Sequence, residues 1–112
     1  MSEVASEIRN VTYVGMALNA AAAVKKTAEG VAGVKEVHQC RARRYGSAFH
    51  ADLHVMVDHS LSLVAAHELS HKVKDTILAA GLDVVDVIIH IEPLELTDPA
   101  HPQSPRQKYR LP

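Results

Sequence analysis

The chain has 112 residues, nearly half of them apolar, with 12 basic residues against 13 acidic ones and a formal charge of -1. That length supports one small domain with a modest core, and near-neutral charge gives no global field that would draw the chain to nucleic acid or to anionic lipid. No run approaches the eighteen or so apolar residues needed to cross a bilayer, so membrane insertion of this segment is not expected.

A single cysteine, Cys40, has no internal disulfide partner, and Glu3 and Glu7 do not fit a secretory leader, so a reducing, cytoplasmic setting is expected. Eight histidines stand beside one Phe, three Tyr and no Trp. The core must therefore be aliphatic, and the histidine excess needs a chemical reason.

Residues 1–15 show no sustained periodicity and are interrupted by Gly15; they read as a lead-in, ordered only if something docks on it. From Met16 to about Glu29 the alanine-rich run favours helix, with Leu18, Val24 and Ala28 as its inner stripe and Gly30 and Gly33 as stop signals. Val34 to about Arg44 reads as a strand, and Tyr45-Gly46-Ser47 as the turn of a hairpin. In the next strand Phe49, Ala51, Leu53, Val55 and Val57 alternate with His50, Asp52, His54, Met56 and Asp58, which predicts one core face and one wet face.

Ser60 or Ser62 can cap a second helix that runs to about Ala80 and stops at Gly81. Its expected inner stripe is Leu63, Ala66, Val73, Ile77 and Ala80, while His67, His71 and Asp75 line another flank four residues apart. In the last strand, Asp83 to Glu92, Val85, Val87, Ile89 and Ile91 are expected to face the core and Asp86, Ile88, His90 and Glu92 to face away, with Pro93 ending it. All five prolines lie between Pro93 and Pro112 beside Arg106, Lys108 and Arg110, which predicts a mobile, locally basic tail over 93–112.

The order helix, strand, strand, helix, strand predicts an α+β domain over residues 16–92 in which two helices cover one face of a three-stranded mixed sheet. His38, His54, His90 and Glu92 then share the uncovered face, where strand spacing of about 4.8 Å lets side chains meet around a divalent cation of the zinc, iron or manganese type. Binding requires neutral imidazoles, so acid should weaken it. His67 sits on a helix packed against the other face and does not easily reach the row, but a second chain could supply it, which points to a homodimer with metal between protomers and an isologous interface as the simplest symmetry. Cys40 reads as a small buried residue rather than a ligand.

His67-Glu68-Leu69-Ser70-His71 also fits H-E-x-x-H, the pattern of a zinc-dependent hydrolase in which Glu68 would act as general base. A chain this small offers no substrate cleft of that kind, and no third-ligand helix follows, so the chain is not read as an enzyme and no catalytic residue is assigned. A free-standing metal carrier is a further alternative.

The blocks Val31-Ala32-Gly33-Val34-Lys35-Glu36-Val37-His38, Leu53-His54-Val55-Met56-Val57-Asp58 with Ser62-Leu63-Val64-Ala65-Ala66-His67, and Val87-Ile88-Ile89-His90-Ile91-Glu92-Pro93 resemble the C-terminal cytoplasmic domain of cation diffusion facilitators, exporters of divalent metals. The resemblance covers Met16 to Pro93 and includes a magnetosome-associated branch that handles iron. It implies a metallochaperone-like αββαβ fold, a V-shaped dimer beneath the exporter's own transmembrane domain, and metal ligands at His38, His54, His67, His90 and Glu92. Ions between protomers would close the V and promote transport. Glu92 stands where many relatives have aspartate, and His50, Asp52 and His71 lie outside the family pattern.

Overall fold

A computed structural model describes residues 3–94, with side-chain detail from residue 15 onward. The chain order is α1 (Glu3–Glu29), β1 (Val34–Tyr45), β2 (Ala48–Val57), α2 (Leu63–Ala79) and β3 (Val84–Pro93). The strands form one sheet in the order β1-β2-β3, with β1 antiparallel and β3 parallel to β2. The expected αββαβ arrangement is present. Most of the expected basic tail, from residue 95 on, lies outside the described residues.

β2 is the centre of the sheet and shows the simplest relation between sequence and burial. Phe49, Ala51, Leu53, Val55 and Val57 are buried, and the residues between them are half-buried on the opposite face. A strand paired on both edges and covered on one face has only this alternation available to it. Because β3 runs parallel to β2, the chain needs a crossover, and α2 provides it on the same face as α1.

α1 begins at Glu3, thirteen residues before the expected start at Met16, and Gly15 lies within it. A helix with so little amphipathic pattern gives no signal of its own N-terminal half. Its buried contacts are Ala20, Val24 and Ala28, with Ala17 packed beside them. Leu18, expected on the inner stripe, is 66% exposed. Alanines at the contact let helix and sheet approach closely. Past the helix end Gly33 adopts φ 97°, and a Cβ there would lie 3.2 Å from a methyl of Leu69 on α2.

Ser62 is the N-cap of α2, its hydroxyl accepting the Ala65 amide at 3.1 Å. The expected phase of this helix needs correction. Leu63 is 88% exposed and Ala80 is exposed, while Leu69, Val73 and Ile77 form the buried stripe. Leu63 is the first residue after the cap and stays outside the core, whereas Leu69 lies one turn before Val73 and meets Gly33.

Three register shifts set which side chains face outward; one lies between Val34 and Glu36 of β1, and the other two bear on the phase of His38, Cys40 and Val85. In β1 the pairing with β2 shifts between His38 and Arg41, and Gln39 has φ 49°, which marks a bulge. His38 therefore faces outward, and Cys40, two residues later, packs against the core instead of sharing that face. In β3 the register shifts between Phe49↔Val84 and His50↔Asp86, leaving Val85 as the extra residue. Val84 is buried and Val85 is 56% exposed, which reverses the expected inward position of Val85. From Asp86 onward the alternation follows expectation, with Val87, Ile89 and Ile91 inward and His90 and Glu92 outward; the strand reaches Pro93 rather than stopping before it.

Candidate metal centre

The sheet register brings three histidines into one row. His38 pairs with His54 across the antiparallel ladder, and His54 pairs with His90 across the parallel one. All three occupy the face that the helices leave uncovered. The His54 and His90 rings stack at 19° with centroids 4.7 Å apart. Glu92, two residues beyond His90 and hence on the same face, accepts from His54 Nδ1 at 2.7 Å.

That hydrogen bond fixes the His54 ring and leaves its Nε2 as the nitrogen available to a cation. His38 turns the other way within the row: its Nε2 is bonded to Glu36 Oε2 at 2.8 Å, and both side chains are about half exposed. Glu36 was not singled out from the sequence. The alternation of β1 would have found it, since residues 36 and 38 share a face.

The row continues away from Glu92. Arg43 lies 4.0 Å from Asp52, and the Tyr45 and His50 rings stack with centroids 4.4 Å apart. His50 and Asp52 thus occupy the same outer face as His54 but are engaged with the basic and aromatic side chains of β1. Cys40, beneath, donates to the Ala21 carbonyl of α1 at 3.2 Å. Burial, and then the Asp52 carboxylate, push the Cys40 thiol above its ordinary pKa. A protonated thiol turned toward α1 is no ligand for the outer face.

His67 is not part of this row. It is exposed on α2, paired with His71 one turn on, and α2 lies on the covered side of the sheet. Beyond the β2 end of the sheet, Asp58 is held below the ordinary carboxylate range by the hydroxyl and the amide of Ser60, which fixes the turn leading to α2.

The donor set of imidazoles with one carboxylate suits a borderline divalent cation. Among the described residues, however, no three candidate ligands of one chain come close enough to hold an ion. The outer face offers incomplete coordination, which a second chain could complete.

Residues 19–94 match the family described as the cytoplasmic domain of cation efflux proteins. Among curated relatives, Metal tolerance protein C1 of Arabidopsis thaliana is 39% identical over 70 residues, covering 62% of this chain and 15% of that protein. Metal tolerance protein 2 of Oryza sativa subsp. japonica is 36% identical over 72 residues, covering 64% and 18%. The manganese efflux system protein MneP of Bacillus subtilis (strain 168) is 30% identical over 60 residues, covering 54% and 20%. The chain thus spans no more than a fifth of the length of these relatives.

Among solved structures, a variant of the MamM CTD superposes with a TM-score of 0.65 at 27% identity, covering 69% of this chain and 95% of that one. Another variant, in a nickel form, gives the same TM-score at 25% identity over 69% and 98%.

Proposed function

The chain belongs to the cation efflux family, as its cytoplasmic domain, and from that premise we propose that it is the regulatory metal-sensing and dimerisation module of a divalent-cation exporter. The ligands are His54, His90 and Glu92, with His38 beside them and His67 contributed from the α2 of a partner copy. A zinc-, iron- or manganese-type ion held between two chains favours a closed dimer, which promotes transport by the exporter's membrane domain. The shift can be only as large as the difference in affinity for closed and open states. Residues 1–15 would connect this module to the membrane part, and 93–112 would form an appended tail.

The observation that carries the reading is the in-register row His38–His54–His90, with His54 Nδ1 bonded to Glu92 at 2.7 Å. Donors held on rigid strands lose little freedom when an ion binds. The incompleteness of the set within one chain favours a shared ion over a free-standing carrier. The relatives named for metal tolerance and manganese efflux agree with divalent cations as the ligand class. For the hydrolase alternative, no third donor joins His67 and His71 among the described residues.

Isothermal titration with zinc of the wild type and of His54→Ala plus His90→Ala tests the proposal. Loss of the tightest binding step is expected in the double variant. Unchanged affinity would overturn the assignment.

A further inference from the structure

The outer-face row makes no use of His71, and the geometry points to a second, separate cation site on α2, formed by His67 and His71 of a single chain. The two residues are four apart on one helix, so their side chains lie one above the other on the same flank. Their Nε2 atoms are 3.0 Å apart and the rings meet edge to face with centroids 4.5 Å apart. Without a cation this contact needs one ring to donate an N–H and the other to accept it, so the two imidazoles must hold opposite tautomers.

Two nitrogens bound to one tetrahedral ion at about 2.0–2.1 Å each are separated by about 3.3 Å. The Nε2 atoms therefore need to part by only a few tenths of an ångström, with the rings turned so that both lone pairs converge on the ion. When zinc or a similar borderline cation enters, the Nε2 proton of the donor ring moves through water to its Nδ1, and both neutral rings then offer an Nε2 lone pair to the ion.

The surroundings favour this. Both residues are exposed, so a cation reaches them without displacing core contacts, and water can fill its remaining positions. The Ser70 hydroxyl is turned back to the His67 carbonyl at 2.6 Å and does not compete for either ring. The Leu69–Val73–Ile77 stripe anchors the helix to the sheet, so the backbone under the two rings is rigid. The site is complete in one protomer as far as protein donors go. Its donors come from one protomer, and because the Nε2 of His67 binds one ion at a time, this site and the shared ion of the dimer compete for that residue.

The test is a zinc titration of the full chain, followed by the ring nitrogen resonances of each histidine. His67 and His71 are expected to shift together with one midpoint, and to do so also in the His54→Ala plus His90→Ala background. In that background His71→Ala should raise the His67 midpoint about tenfold or more, because the second donor acts at high effective concentration. His71→Gln should do the same, and alanine at an exposed helical position leaves α2 intact, which circular dichroism checks.

A His71 resonance that stays fixed while His67 saturates overturns the site, as does an unchanged His67 midpoint in the His71 variants. Loss of zinc shifts at His54 and His90 alone would count against the dimer reading and leave this one standing.

Discussion

His54 and His90 are direct partners across the parallel β2–β3 ladder, with their rings stacked 4.7 Å apart on the face the helices leave open. In a parallel pair, equivalent residues stay in step along the strands. The pair therefore holds its spacing as long as β2 and β3 hold their register.

Glu92 orients the His54 ring through the bond to Nδ1. On the proposed reading, Glu92→Gln should lower zinc affinity about tenfold or more, the usual effect of removing a carboxylate that ligates or orients a ligand. Isothermal titration measures it, and an affinity equal to wild type would remove Glu92 from the site.

Leu53 is fully buried in the middle strand, within the apolar core cluster. Leu53→Ala should cost about 2–5 kcal/mol through lost burial and the cavity left behind. Urea unfolding gives the value; a cost under about 1 kcal/mol would mean that the core collapses around the gap.

Gly33 combines φ 97° with a Cβ position 3.2 Å from Leu69 Cδ2. Gly33→Ala should destabilise by more than the roughly 1 kcal/mol of backbone strain alone, since Leu69 must also move. A neutral effect on the denaturation midpoint would show that the loop can relax into another conformation.

Ser62→Ala removes the hydroxyl that accepts the Ala65 amide at the start of α2. A loss of about 1 kcal/mol is expected, the usual cost of an N-cap. Thermal denaturation reads it, and Ser62→Asp should retain most of the stability.

Cys40 is raised above the ordinary thiol pKa by burial first and by Asp52 second. Its alkylation by iodoacetamide should therefore follow a pH profile displaced upward in the folded chain relative to the chain in urea. The sign for stability follows: the unfolded thiol ionises first, so the contribution is full below the ordinary thiol range and is lost as pH rises through the folded value. Coincident profiles would contradict the burial of Cys40 against α1.

The alternation in β2 made the central strand, its core face and the outward position of His54 legible from the sequence alone, because a strand paired on both sides leaves its side chains no other choice. The outward positions of His90 and Glu92 followed from the same rule applied to β3, whereas the register that sets His90 beside His54 did not, because alternation gives a face and not a partner. What stayed hidden were changes of phase. Nothing in Val84-Val85 distinguishes the buried valine from the bulged one, and two apolar residues in succession fit either assignment. Leu63 and Leu69 are alike in chemistry, and only the docking of α2 over Gly33 decides which is buried. The early start of α1 at Glu3 left no periodic trace for the sequence to reveal. The contact between His67 and His71, by contrast, was implicit in their spacing.

The extra residue at Gln39 works as a half-step inserted into β1. Upstream of it the imidazole of His38 looks out, and downstream the thiol of Cys40 looks in, although a regular strand would aim both the same way. A regular β1 that kept all its residues and held His38 outward would carry the Cys40 sulfur onto the open face beside that imidazole. Which donor atoms β1 presents on that face is thus written partly in the spacing of the strand, not only in the identity of its residues.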